Sequence, residues 1–207
     1  MNQWLRHPRC QKQPFQDSSC RSSVAQYRTH HALGSQARIG IELLLAMAAR
    51  RGDAIALGRQ HLKDGILTFT QEKNRKRKPV TVEVPVPAEL MAAIEACPAP
   101  ETALTFLVNE FGRPYSKRAF NTQFREWCDE AGLPTSCRPH GLRKAACRIM
   151  AESDCTVHEI KSISGHRTLR EVERYTAAVD NKRLAIRARA KVAAANNVVP
   201  LAVVAGE

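Results

Sequence analysis

His140, Arg143, His166 and Tyr175 fall in one basic stretch of this 207-residue chain, and their residue types suit a particular chemistry. A tyrosine hydroxyl is a poor nucleophile at neutral pH, because its unperturbed pKa is about 10. Among an arginine and two histidines the balance changes. Cationic neighbours favour phenolate, and an imidazole accepts the proton. The same cations stabilise charge building on a phosphate under attack. The set therefore points to covalent phosphoryl transfer through a phosphotyrosine.

These side chains need elements to hold them. A helix starting near Pro139 puts His140 and Arg143, three apart, on one face. Leu142, Ala145, Ala146 and Ile149 then anchor its neighbouring side to a core. Gly165 ends a short apolar helix and presents His166. A further helix carries Tyr175 at the edge of an apolar stripe made by Leu169, Val172 and Val179. Alone, each residue has a plainer reading: a half-buried helix tyrosine, a solvated arginine, a helix-capping histidine. Their order and spacing together single them out.

The segment resembles the C-terminal catalytic half of the tyrosine recombinase, or phage integrase, family. That family carries His-x-x-Arg, then Gly-His, then a tyrosine nine residues beyond that histidine. Here these are His140-Gly-Leu-Arg143, Gly165-His166 and Tyr175. Upstream, Met47-Ala48-Ala49-Arg50-Arg51-Gly52-Asp53 overlays the segment that bears the family's first arginine, which the resemblance assigns to Arg50. The family's usual Thr-Gly is replaced by Met47-Ala48. A lysine on a β-hairpin is also expected, and Lys73 matches its place, with Lys76 and Lys78 nearby.

The resemblance implies a mechanism. Tyr175 attacks a DNA phosphodiester to form a 3′-phosphotyrosyl link, and Arg50 and Arg143 clamp the non-bridging oxygens. His140 assists proton transfer, His166 hydrogen-bonds the phosphate, and Lys73 protonates the leaving 5′-oxygen. It implies no cofactor, neither ATP nor metal. It implies double-stranded DNA as partner and a homo-oligomer, a tetrameric synapse on DNA.

Composition agrees with a polyanion partner. The formal net charge is +12 with 32 Lys and Arg against 20 Asp and Glu, which favours nucleic acid. Seven scattered cysteines without a C-x-x-C read as free thiols in a reducing compartment. No apolar h-region opens the chain, and Val198–Val204 is too short to span a bilayer. The expected location is cytoplasmic, with no membrane partner.

The remaining pattern predicts an α+β fold, mostly α-helical with a small antiparallel β-sheet, like a tyrosine recombinase catalytic domain. Residues 1–23 read as a poorly ordered leader, 24–195 as the catalytic domain and 196–207 as a tail. Ala37–Ala49 is a strongly apolar helix that ends in Arg50-Arg51, where two cations complement the helix dipole. Ile66–Thr70 and Val80–Val84 are strands flanking a basic hairpin tip. Pro87–Ala96 is a helix, Leu104–Leu107 a short strand, and Ser116 caps a helix whose Phe120, Phe124 and Trp127 face the core. Asp180 caps a last helix.

Family members carry an N-terminal DNA-binding domain, which residues 1–23 do not supply. The expectation is therefore a truncated integrase, chemically equipped but deprived of part of its DNA grip. One alternative is a catalytically inactive DNA-binding remnant. Another is a zinc-dependent protein using Cys137-x-x-His140 and Cys155-x-x-His158, although the helix between these pairs argues against a ribbon. There is no Ser-His-Asp set, and Asp53 and Glu171 read as ion-pair partners of local arginines.

Overall fold

The apolar stretch after Ser35 forms helix α2 (Gln36–Ala46), around which the other elements gather. Ile39, Ile41, Leu43 and Leu44 are all buried, as expected of a helix apolar on every side. Its one acid, Glu42, is buried too and is held by Arg28 (2.8 and 2.5 Å) and Arg38 (2.7 Å). Arg28 lies on helix α1 (Cys20–His30). The Ser35 hydroxyl caps α2 by accepting from the Arg38 N–H.

The computed structural model describes residues 20–73, 75–97, 103–176 and 181–196. After α2 come helix α3 (Arg51–Ala54), strands β1 (Leu62–Lys63), β2 (Ile66–Thr70) and β3 (Thr81–Pro85), and helix α4 (Ala88–Ala96). Helices α5 (Lys117–Glu130), α6 (Pro139–Glu152), α7 (Val157–Ser164), α8 (Leu169–Thr176) and α9 (Asn181–Asn196) complete the order. The fold is α+β, mostly helical with one small antiparallel sheet.

The strands pair in the order β1-β2-β3. Leu67 opposes Val84 and Phe69 opposes Val82; these four face the core while Thr68, Thr70, Thr81 and Glu83 face out. β1 was not anticipated, being only two residues long. Its signal was Asp64-Gly65, whose positive φ values (51° and 74°) fit a tight hairpin turn into β2. The segment 104–107 is not a strand. Thr105, Phe106 and Leu107 are buried, but Phe106 N–H donates to the Leu57 carbonyl, and pairing is limited to one bridge, Val108 with Pro114.

Helix α2 stops at Ala46, three residues before the expected end. Ala48 has φ of 41°, and the chain is extended at Arg50 before restarting as α3. Arg50 therefore precedes a helix rather than terminating one, and dipole complementarity does not explain it. A left-handed alanine costs roughly 1 kcal/mol or more. Arg143 holds it there, by taking the Ala48 carbonyl at 2.5 Å.

Helix α6 joins the two halves of the interior. Leu142 and Ala145 enter the larger core with α1, α2, α4, α5 and the sheet, where Phe120, Phe124 and Trp127 are buried as predicted. Ala146, Cys147 and Ala151 form a second cluster with Ala48, Ile160 and Val172, against which Tyr175 packs. Residues 20–23, assigned from sequence to a leader, already belong to α1. Residues 1–19 and 197–207, Asp180 and Val179 lie outside the described residues.

Candidate active site

Proline at its first position starts α6 where the sequence predicts. Arg143, one turn in, is 2 % exposed. Its Nη1 donates to the carbonyls of Ala48 (2.5 Å) and Ser164 (2.8 Å). Its Nη2 is buried with no partner. A buried guanidinium with an open donor is costly unless something anionic arrives.

Arg50 approaches from the extended turn before α3 and donates through Nη1 to Gln71 Oε1 at 2.5 Å. The charges of Arg50 and Arg143 feel one another, and burial together with Arg50 lowers the Arg143 pKa. Asp53 is buried between these elements but closes no ion pair among the described residues. Its Oδ1 accepts from the Glu72 backbone N–H (2.8 Å), and its Oδ2 has no partner. Burial raises its pKa despite both arginines. Among the described residues Glu171 likewise pairs with no arginine; it accepts from the Arg167 and Thr168 backbone N–H groups as α8 begins.

His166 follows Gly165, which adopts the left-handed conformation (φ 63°) at the end of α7. Ser164 Oγ donates to the Ile160 carbonyl at 2.6 Å and lies 2.6 Å from His166 Nδ1. With the hydroxyl proton so committed, Nδ1 must carry the imidazole proton, and neutral His166 presents Nε2 as an acceptor. Burial first, then Arg143, pushes its pKa down to about 4.

That shift predicts a pH effect. The folded pKa is below the unfolded value, so the unfolded chain binds the extra proton between pH 6.5 and about 4. Stability from this group is present above pH 6.5 and lost as pH falls, by at most about 3 kcal/mol. Urea unfolding at pH 7 and pH 4.5 should show a smaller loss for His166→Gln than for wild type. Equal losses would remove this assignment.

The Tyr175 ring lies 5.8 Å from the His166 ring, centre to centre. Arg143 lowers the Tyr175 pKa, as the sequence suggested, but burial acts more strongly and the net shift is upward. At neutral pH the group is a phenol. His140 is exposed near the helix start, its pKa lowered by partial burial and then by Lys144, Arg143 and Arg50. Lys73 is exposed on the wall of a cleft of about 670 Å³ that Arg50, Arg51, Lys117, Arg138 and His140 also line. On its wall Glu72 pairs with Lys117 at 2.5 Å.

The structure thus brings Arg50, Arg143, His140 and His166 within electrostatic reach of each other, sets Tyr175 beside His166, and places Lys73 on the adjoining wall. Two contributors escaped the sequence reading: the Gln71 side chain and the Ser164 backbone carbonyl. No local motif marks either. The rival set of Cys137, His140, Cys155 and His158 does not converge among the described residues. His30, His31 and Glu130 do lie close together, but His31 Nε2 already faces the Trp127 carbonyl at 2.8 Å.

Among solved structures, XerA recombinase resembles the chain with a TM-score of 0.64 at 16 % identity, over 87 % of this chain and 64 % of that one. The Tn1549 transposon integrase in complex with transposon right end DNA gives 0.66 at 13 %, over 86 % and 65 %. A lambda integrase (75–356) dimer bound to a COC′ core site gives 0.59 at 17 %, over 75 % and 57 %. The chain thus spans less than two thirds of the length of each, and at these identities the likeness is one of fold. Comparison with curated protein sequences yields no match. The model of the phage integrase family matches residues 21–182. Motif order, fold and that match agree, and the chain belongs to the phage integrase family of tyrosine recombinases.

Proposed function

We propose that this chain cleaves and rejoins DNA strands through a phosphotyrosyl intermediate, as the chemical step of site-specific recombination. The observation that carries the reading is the buried, unpartnered Nη2 of Arg143, held near a second arginine and beside a tyrosine. Such a donor suits a phosphate oxygen and does nothing for the DNA-free fold.

In the proposed step Tyr175 Oη attacks phosphorus in line with the 5′-oxygen. The new P–O bond forms as the P–O5′ bond breaks, leaving a 3′-phosphotyrosyl link and a free 5′-hydroxyl. Arg50 and Arg143 stabilise the extra charge on the non-bridging oxygens. The Tyr175 proton goes to a histidine. His166 suits this role, because its neutral form offers Nε2 as acceptor, and once protonated that same atom donates to the phosphate. His140 is an alternative acceptor at the exposed rim. Lys73 gives its proton to the leaving oxygen. Bond energy is kept in the protein–DNA ester, so reversal by a 5′-hydroxyl of another duplex completes an exchange.

The net charge of +12 supports double-stranded DNA as the partner. DNA-bound dimers and a tetramer on a Holliday junction, seen for lambda integrase, support a homo-oligomer on DNA for this chain.

The test is a nicked duplex whose short 5′-hydroxyl product diffuses away after cleavage, trapping the protein. An SDS-stable adduct whose phosphate maps to Tyr175 is the expected result. Salt-dependent DNA binding without an adduct would select a non-catalytic binding module. No binding at all would remove DNA as substrate.

A further inference from the structure

Among the described residues, a buried amide and a backbone carbonyl link the two arginines. Gln71 is 2 % exposed at the end of β2, where its backbone N–H continues the ladder to the Val80 carbonyl. Its Oε1 accepts from Arg50 Nη1 at 2.5 Å. Its Nε2 donates to the Ser164 carbonyl at 2.9 Å. That same carbonyl accepts from Arg143 Nη1 at 2.8 Å, and Ser164 Oγ fixes His166. One amide therefore lies between α3, the sheet and the end of α7.

We propose that Gln71 is the positioning residue that sets Arg50, Arg143 and His166 at their mutual spacing around the phosphate. This rests on the phosphoryl-transfer reading given above. The amide has one usable orientation, because a guanidinium only donates and a carbonyl only accepts. A flipped or shortened side chain would leave both partners unmet in a buried site. Gly165 is built to the same contact. A Cβ there would lie 2.3 Å from Gln71 Nε2, so the glycine lets the α7 terminus close directly on the amide. Lys73 follows two residues later, so the amide also pins the base of the hairpin that carries it.

A misplacement of about 1 Å at a reacting centre costs about 100-fold in rate. Gln71→Met keeps the length of the side chain and removes both hydrogen bonds. It should lower single-turnover adduct formation by about 100-fold on ordinary nicked duplex. The discriminating readout is the same duplex with a methylphosphonate at the cleaved position. Replacing a non-bridging oxygen by methyl removes the charge the arginines grip, so a defect in arginine placement should shrink to about tenfold or less. Gln71→Glu keeps the shape and the acceptor for Arg50 but loses the donor to Ser164, and it carries the same comparison should the methionine variant fail to fold. A deficit equal on both duplexes, or activity equal to wild type, overturns the positioning role while leaving Tyr175 chemistry intact. Absence of any adduct from the wild-type chain overturns the phosphoryl-transfer reading itself, and this proposal with it.

Discussion

Tyr175→Phe is expected to abolish the covalent DNA adduct, by at least about 10⁴-fold, with little change in stability or DNA affinity. Removing a nucleophile outright typically costs that much or more. The structural side of the prediction is equally definite. Tyr175 is half-buried and its ring packs on the cluster of Ala48, Cys147 and Val172. Phenylalanine keeps that packing. The hydroxyl has no hydrogen bond to a described residue, and burial already raises its pKa, so its loss strands no partner. A change within about 0.5 kcal/mol corresponds to a melting shift of about 2 °C or less for a chain of this size. Thermal unfolding, filter binding and the nicked-duplex assay on one preparation test all three parts. Residual adduct in the mutant would mean that another side chain attacks. A melting point lower by 5 °C would mean that the hydroxyl has a structural role.

The raised pKa of Tyr175 bears on how the reaction is switched on. Two groups between which the proposed step moves a proton, Tyr175 and His166, are both held neutral: one shifted up, the other down to about 4. Burial is the leading cause of both shifts. A phosphate entering beside Arg143 adds negative charge near His166 and raises its proton affinity, while it occupies the cation that opposes it. The imidazole then becomes a better acceptor at the moment the nucleophile meets its target. A tyrosine kept as phenol in the meantime is protected from adventitious chemistry.

The candidate site residues were legible in the sequence and their supports were hidden, for reasons visible at particular positions. His140, Arg143, Gly165, His166 and Tyr175 were readable because helix spacing and a glycine cap are local rules. Pro139, Ser116 and Gly165 mark their helix ends as the sequence suggested. The end of α2 was misread because nothing between Leu43 and Ala49 forbids a helix. The distant guanidinium of Arg143, which takes the Ala48 carbonyl, meets the chain where it turns. Phe106 misled in the same way, since an apolar run with a single long-range backbone bond to Leu57 reads like a strand. The phenol of Tyr175 was misjudged because neighbouring cations are countable in a sequence and burial is not. Gln71 looked like a polar residue at the start of a hairpin tip. Its importance comes from Ser164, 93 residues away.

Arg143 is the residue where structure and chemistry are most tightly joined, and its replacements should separate the two. In Arg143→Ala, the carbonyls of Ala48 and Ser164 lose their donor inside the protein. Unsatisfied buried groups and the space left behind cost roughly 2–4 kcal/mol together. Removing a cation whose Nη2 is unpaired returns part of that, since a buried charge without a full set of partners is itself unfavourable. The net loss should be about 1–3 kcal/mol, small enough to leave a folded chain. Catalysis should fall much further, by about 10³-fold or more, because an arginine on a transferring phosphate is worth about that much. Arg143→Lys is the sharper experiment. It keeps the charge but offers a single nitrogen in place of a planar fork. One ammonium cannot bind two carbonyls in one direction and the phosphate in another, so lysine must choose. Stability should recover to within about 1 kcal/mol of wild type while adduct formation stays down by about 100-fold. Urea denaturation and single-turnover cleavage measure the two effects independently. A lysine variant cleaving within about threefold of wild type would show that charge alone suffices, and the argument from the open Nη2 would then fail.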